Sequence, residues 1–160
     1  MSKASFVYVI YINTTPEKVW TALIDPEMTK DYWGLARNRS DWKPGSRWRH
    51  EDYEDADNLL VTGSVLESDP PRRLVLTWAH PDDAGDAAKT SRVTFDIEGF
   101  MGSVRLTVTH DELEPASKTQ AGITAGWPAV LSSMKTMLET GVAMPMTQRR
   151  WGRDVQPREV

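Results

Sequence analysis

Three histidines are the residues best equipped for chemistry in this chain. His50 follows Trp48, His80 follows Trp78 and His110 follows Val108, each by two positions, so on a strand each imidazole shares a face with a bulky apolar neighbour. Imidazoles on such a face can ligate a metal, move a proton near neutral pH or hydrogen-bond a ligand. These three lie near three separate strand ends, and no spacing ties them into one metal site. A strand-end histidine can also sit half-exposed with no function; where one of the three bonds a cavity ligand, His50 and His110 are the better candidates because His80 adjoins a polar loop. No catalytic residue, metal site or cofactor is assigned.

The other residue types that do chemistry give less. Glu51, Asp52, Glu54, Asp55 and Asp57 form an acidic run, but it lacks the alternating ligands and the glycine of a calcium loop, so a solvated hairpin tip is expected. Arg92 and Arg105 fall on the strand face opposite the apolar residues and read as solvent charges. Gly99 and Gly102 bracket Phe100-Met101 without preceding a helix, which makes them turn glycines and no phosphate cradle. No serine sits in a nucleophile elbow. The chain has no cysteine, which removes disulfides, thiolate metal sites and cysteine nucleophiles.

Composition sets the frame. A chain of 160 residues with seven tryptophans suits one folded domain with a substantial core. The net charge is -4 with both signs interspersed, which disfavours nucleic acid as a partner. No stretch approaches the roughly 18 apolar residues of a membrane span, and the N-terminus reads as a strand; a cytoplasmic location is expected.

The elements that must position these residues follow from periodicity. Phe6 to Ile12 is β-branched and aromatic, a strand. Thr15-Pro16-Glu17 starts a short helix with buried Val19, Trp20 and Leu23, and Asp25-Pro26-Glu27 starts a second that runs to about Trp33-Gly34. Strands are predicted over Ser46 to Tyr53, Leu59 to Glu67, Arg73 to Ala79, Arg92 to Glu98 and Ser103 to Asp111, with a loop over His80 to Thr90. In Gly126 to Gly141, Trp127, Val130, Leu131, Met134, Met137 and Leu138 keep helical time, with Ser132, Ser133, Lys135, Thr136 and Glu139 opposite. Ala116 to Ala125 can add turns ahead of it, and Pro128 predicts a kink or a fresh start. Consecutive short strands imply an antiparallel meander that one amphipathic helix covers. Val142 to Val160 reads as a polar extension laid loosely on the surface, in which Trp151 can strap it across the domain or into a partner.

Strand parity then proposes a cavity lining between sheet and helix. Its residues are Trp48, His50, Leu76, Trp78, Phe95, Leu106 and His110 from the strands, faced by Trp127, Leu131 and Met134 from the helix. A lining rich in tryptophan and methionine suits a small hydrophobic molecule.

Certain words of the sequence, in this order, resemble a known superfamily. They are Thr15-Pro16-Glu17-Lys18-Val19-Trp20 with Leu23, Asp25-Pro26, Tyr32-Trp33-Gly34, Trp42-Lys43-Pro44-Gly45-Ser46, Pro70-Pro71-Arg72-Arg73-Leu74 leading to Thr77-Trp78, the strand Val104 to His110, and Gly126-Trp127. From about Phe6 to Gly141 the chain resembles the helix-grip proteins (SRPBCC, START and Bet v 1-like), and within them the AHSA1-like group of activators of heat-shock-protein ATPase. The resemblance implies an α+β helix-grip fold: a curved antiparallel sheet of about six strands wrapped on a long C-terminal helix, with two short helices after the first strand. It places one domain over residues 1–141 and a tail over 142–160. It also implies binding of a small hydrophobic ligand, or a co-chaperone-like interaction with a chaperone or other protein, or a cyclase or hydrolase activity using a cavity histidine. A monomer or homodimer is expected.

Overall fold

The computed structural model describes residues 2–151. Strand β1 (Ala4–Ile12) leads into helix α1 (Pro16–Ile24) and helix α2 (Pro26–Tyr32). Six strands follow: β2 (Ala36–Ser40), β3 (Arg47–Asp52), β4 (Asp55–Asp69), β5 (Arg73–Trp78), β6 (Ser91–Phe100) and β7 (Ser103–Leu113); helix α3 (Lys118–Thr140) comes after them. All seven strands form one antiparallel sheet in the order β1-β7-β6-β5-β4-β3-β2. The meander runs in sequence from β2 to β7, and α1 and α2 carry the chain from one edge of the sheet to the other.

The two short helices begin as their sequences require. Thr15 accepts from the Lys18 amide and Asp25 from the Glu27 amide, each just ahead of a proline whose missing N–H costs nothing at a first turn. The α1 face holding Val19, Trp20, Ala22 and Leu23 is buried. The Tyr32 hydroxyl donates to the Ala22 carbonyl at 2.8 Å and ties α2 back onto α1.

The inner face of the sheet is a set of cross-strand rows. Leu74 faces Phe95, Phe95 faces Val108, and Val108 faces Tyr8. The next row runs Leu76, Val93, His110 and Phe6. Helix α3 lays Trp127, Val130, Leu131, Met134 and Met137 over these rows. Trp48 locks the middle of the sheet, since its indole donates to the Thr77 carbonyl at 2.7 Å. That reach crosses β4 at Gly63, where a Cβ would lie 1.9 Å from the same carbonyl oxygen. Only glycine fits there.

Four expectations need correction. The sheet has seven strands instead of about six, because β2 was not predicted: its inward residues are Ala36 and Asn38, too small or too polar to mark an apolar face. The acidic run is a solvated hairpin tip only at Glu54, Asp55 and Asp57. Glu51 and Asp52 end β3 and are buried, and only Tyr53 and Glu54 turn the chain into β4. Arginines make that burial tolerable, Arg37, Arg39 and Arg49 around Glu51 and Arg150 beside Asp52. Helix α3 does not restart at Pro128: it runs unbroken from its Ser117 cap to Gly141, which takes the left-handed conformation at φ 92°. Packing of Ile123 and Trp127 on one side of the proline, and of Val130, Leu131 and Met134 on the other, outweighs the lost backbone bond. Finally, Ser133 is fully buried instead of facing solvent, and its hydroxyl lies 2.6 Å from that of Thr147.

Ser133 thereby anchors the segment after α3. Its hydroxyl also accepts from the Met144 amide, Thr147 donates to the Asp31 carbonyl, and the Gly34 amide donates to the Thr147 carbonyl at 2.8 Å. Val142 to Trp151 is therefore strapped across α2 and α3. The rest of the tail, and Met1, lie outside the described residues.

Candidate functional site

Four tryptophans from four parts of the chain meet at one end of the sheet. Trp33 caps the C-terminus of α2, Trp78 ends β5, Trp127 stands on α3, and Trp151 arrives on the strap. Trp33 stacks on Trp78 with ring centres 6.3 Å apart, and Trp127 tilts against both at 5.2 and 5.7 Å. Gly34, at φ 68°, turns the chain sharply after Trp33. A Cβ on Gly34 would come within 2.9 Å of the Trp151 ring, so glycine here satisfies both the backbone and the approach of the strap.

These rings wall a cavity of about 350 Å³. Leu60 and Val61 of β4 and Ile123 and Val130 of α3 extend the apolar lining. Space comes from the small residues Gly122, Ala125 and Gly126 on the facing turn of α3. Among the described residues, only His80 and Thr119 bring polar side chains to it. The volume is at the low end of the roughly 300–1,000 Å³ typical of small-molecule sites, and the lining has their usual character of apolar walls with few polar groups.

Of the ten residues proposed from parity, Trp78 and Trp127 line this cavity. Trp48, His50, Leu76, Phe95, Leu106, His110, Leu131 and Met134 lie behind it as buried core. Parity sorts inward from outward residues, and inward here means the packed interior along most of each strand. Trp33 and Trp151 were not proposed for the lining. Neither lies on a strand or on the stripe of α3, so no period marks them; the signal available was a tryptophan beside a glycine and another in a polar tail.

The histidines separate. His80 lies beyond the end of β5, exposed, where its Nδ1 accepts from the Asp82 amide at 3.2 Å and caps a short turn over Pro81–Asp83. His50 is buried against Trp33, ring centres 4.8 Å apart, with Nδ1 2.6 Å from the Asn38 side-chain oxygen. His110 sits in a chain of hydrogen bonds that determines its proton. The indole N–H of Trp127, which can only donate, points at Nδ1 at 3.1 Å. The proton of neutral His110 must then be on Nε2, which donates to the Ser91 hydroxyl at 2.8 Å, and Ser91 donates to the Trp78 carbonyl at 3.2 Å. Burial pushes the pKa of both His50 and His110 down to about 4. His110 has no free lone pair, so the chain of bonds fixes Trp127 and Trp78 in place and His110 itself is not available as a base. Among the described residues, no three histidine, aspartate or glutamate side chains gather to hold a metal.

A profile of the family described as activator of Hsp90 ATPase homolog 1-like protein matches residues 13–139. The chain belongs to this family. The match covers α1 through nearly all of α3, and so every wall of the cavity except the Trp151 strap. Solved structures share the fold at low sequence identity. CalU16 from Micromonospora echinospora is 17% identical with a TM-score of 0.69, over 90% of this chain and 71% of that one. Protein MLL2253 from Mesorhizobium loti is 23% identical with a TM-score of 0.71, over 85% and 97%. The Aha1 dimer from Colwellia psychrerythraea is 20% identical with a TM-score of 0.66, over 86% and 98%. No curated protein sequence matches the chain. The helix-grip architecture is thus shared by the family and these neighbours, and no described helix is long and apolar enough to cross a membrane.

Proposed function

We propose that the protein binds a small, flat, hydrophobic molecule in the tryptophan-walled cavity, in the cytoplasm and without a cofactor. One observation carries this reading: four indoles and four aliphatic side chains surround one cavity beside the buried core. Indole faces bind planar apolar groups at low conformational cost, and His80 and Thr119 at the rim supply a few polar contacts to orient them. Native mass spectrometry of the freshly purified protein would reveal a co-purifying molecule. Titration with the neutral fluorophore N-phenyl-1-naphthylamine provides the direct test. Saturable 1:1 enhancement, weakened in a Trp33→Ala variant, is expected, and a linear response identical in the two proteins rules the cavity out as a site.

The family match favours a second reading, a protein-interaction module that acts on a chaperone as the family's description suggests. The domain would then work through its outer surfaces as monomer or homodimer, and the cavity would be incidental. Adding the protein to Hsp90 and measuring ATP turnover distinguishes the two: stimulation in the presence of saturating fluorophore supports the interaction role, and no stimulation together with saturable fluorophore binding supports the ligand role.

A further inference from the structure

Most charges on this protein find opposite partners. Arg73 meets both Glu67 and Asp96, Arg92 meets Asp111, Arg105 meets Glu98, and Arg150 meets Asp52 and Glu54. The outer face of β2 and β3 breaks that pattern. Arg37, Arg39 and Arg49 all converge on the single carboxylate of Glu51. Three guanidiniums against one carboxylate leave two positive charges over. Of the next acids along the chain, Asp52 and Glu54 are taken by Arg150, and neither Asp55 nor Asp57 forms an ion pair with these arginines among the described residues.

The geometry of the cluster is specific. Glu51 is completely buried beneath it, while the side chains of Arg37, Arg39 and Arg49 keep 24%, 48% and 41% of their exposure. Arg37 and Arg39 both hold Glu51 Oε1 through Nε, which leaves their terminal Nη pairs without a partner among the described residues. Arg49 uses Nε and one Nη on Glu51, and that Nη also donates to the Ala56 carbonyl. Arg37 is further steadied by the Tyr53 ring, 5.6 Å from its guanidinium carbon. In the β2–β3 register Arg39 stands directly opposite Arg49, an arrangement that destabilises a sheet. The buried carboxylate offsets part of that repulsion and holds the guanidiniums in fixed positions, with donors directed outward.

We infer that the Arg37, Arg39 and Arg49 cluster on the outer face of β2–β3 is a binding site for a phosphate group. A dianionic oxyanion supplies the two missing charges, and its several acceptor oxygens match the outward guanidinium forks, which bind phosphate with charge-assisted, often paired hydrogen bonds. The site is on the opposite side of the sheet from the tryptophan cavity and does not depend on a ligand there.

The test follows the arginine Nε–H signals of the full chain by NMR at constant ionic strength. Inorganic phosphate and O-phosphoserine are titrated in separate arms, with chloride as the control. Saturable shifts confined to Arg37, Arg39 and Arg49 are expected. Response to both phosphates means that a free anion suffices, and response to phosphoserine alone means that the group arrives on a carrier; either supports the site. The Arg37→Lys/Arg39→Lys variant keeps the charges that neutralise Glu51 but loses the forks, and should bind about tenfold more weakly. Shifts that never saturate, that chloride reproduces, or whose midpoint is unchanged in the lysine variant overturn the assignment. If the double variant fails to fold, the contrast between phosphate and chloride in the native protein still decides.

Discussion

The indole nitrogen of Trp127 donates to Nδ1 of His110 across 3.1 Å, joining the long helix to the last strand at the floor of the cavity. The bond exists only while His110 is neutral, because protonation would place a second donor against the indole N–H. Burial holds both His110 and His50 at a pKa of about 4, below the 6.5 of a free imidazole. The native state therefore binds fewer protons than the unfolded chain between these values. Stability should be fully present above about pH 6.5 and should fall progressively as the pH drops toward 4. Urea unfolding at pH 7, 5.5 and 4.5 should show a declining midpoint at constant slope. A His110→Gln variant keeps a donor and an acceptor but does not titrate, so its decline should be shallower; equal declines would show that His110 contributes nothing to the acid sensitivity.

Gly63 yields a sharper structural expectation. A methyl group there would meet the Thr77 carbonyl at 1.9 Å and the Trp48 indole nitrogen at 2.6 Å, and neither can move without breaking the bond between them. Gly63→Ala should cost about 3 kcal/mol or more, combining overpacking with a buried donor left unpaired. Thermal unfolding of the variant, with Gly99→Ala as a control at a site open to solvent, would measure it.

What the sequence displays, and what it hides, divides along the same physical line. The inner rows built on Leu74, Phe95 and Val108 are visible because a two-residue alternation has only one way to bury its apolar side. The stripe of α3 is visible for the same reason at a different period. Strand β2 is hidden because Ala36 and Asn38 carry no apolar signal, and with it goes the burial of Glu51, since two of its three arginines, Arg37 and Arg39, come from β2. The cavity is hidden for a third reason. It exists where the regular elements end, and its walls include Trp33 beyond a helix terminus and Trp151 beyond the last helix. Their meeting is a property of the closed fold, and no local period encodes it. The histidines show the limit of parity most directly: the side of the strand was right for His50 and His110, but the partners that engage their nitrogens come from β2, β6 and α3.

Trp151 should be a wall of the cavity with a modest share of the stability. Its indole donates to the Met146 carbonyl at 2.7 Å and its ring covers Gly34, yet the residue remains partly exposed. Trp151→Ala should lower stability by about 1–2 kcal/mol and weaken N-phenyl-1-naphthylamine binding severalfold. Fluorophore titration and urea unfolding on the same preparation separate the two effects. An unchanged affinity would mean that the other three indoles suffice.

The strap has a second fastening at Arg150, whose guanidinium reaches the nearly buried carboxylate of Asp52 and the exposed one of Glu54. Asp52 also accepts from the Glu54 amide at 2.9 Å. Arg150 holds the Asp52 carboxyl below the usual carboxylate range, so this contribution to stability is present near neutral pH and is lost as the pH falls below about 4. Because Arg150 is half-exposed, water screens the pair, and Arg150→Ala should lower stability only modestly at pH 7. Asp52→Asn removes the charge that Arg150 serves, so adding Arg150→Ala to it should cost much less than Arg150→Ala costs alone. A double-mutant cycle by urea unfolding at pH 7 reads the coupling directly. The same cycle at pH 3 should show it diminished, and a coupling that is the same at both pH values would exclude the ion pair as its source.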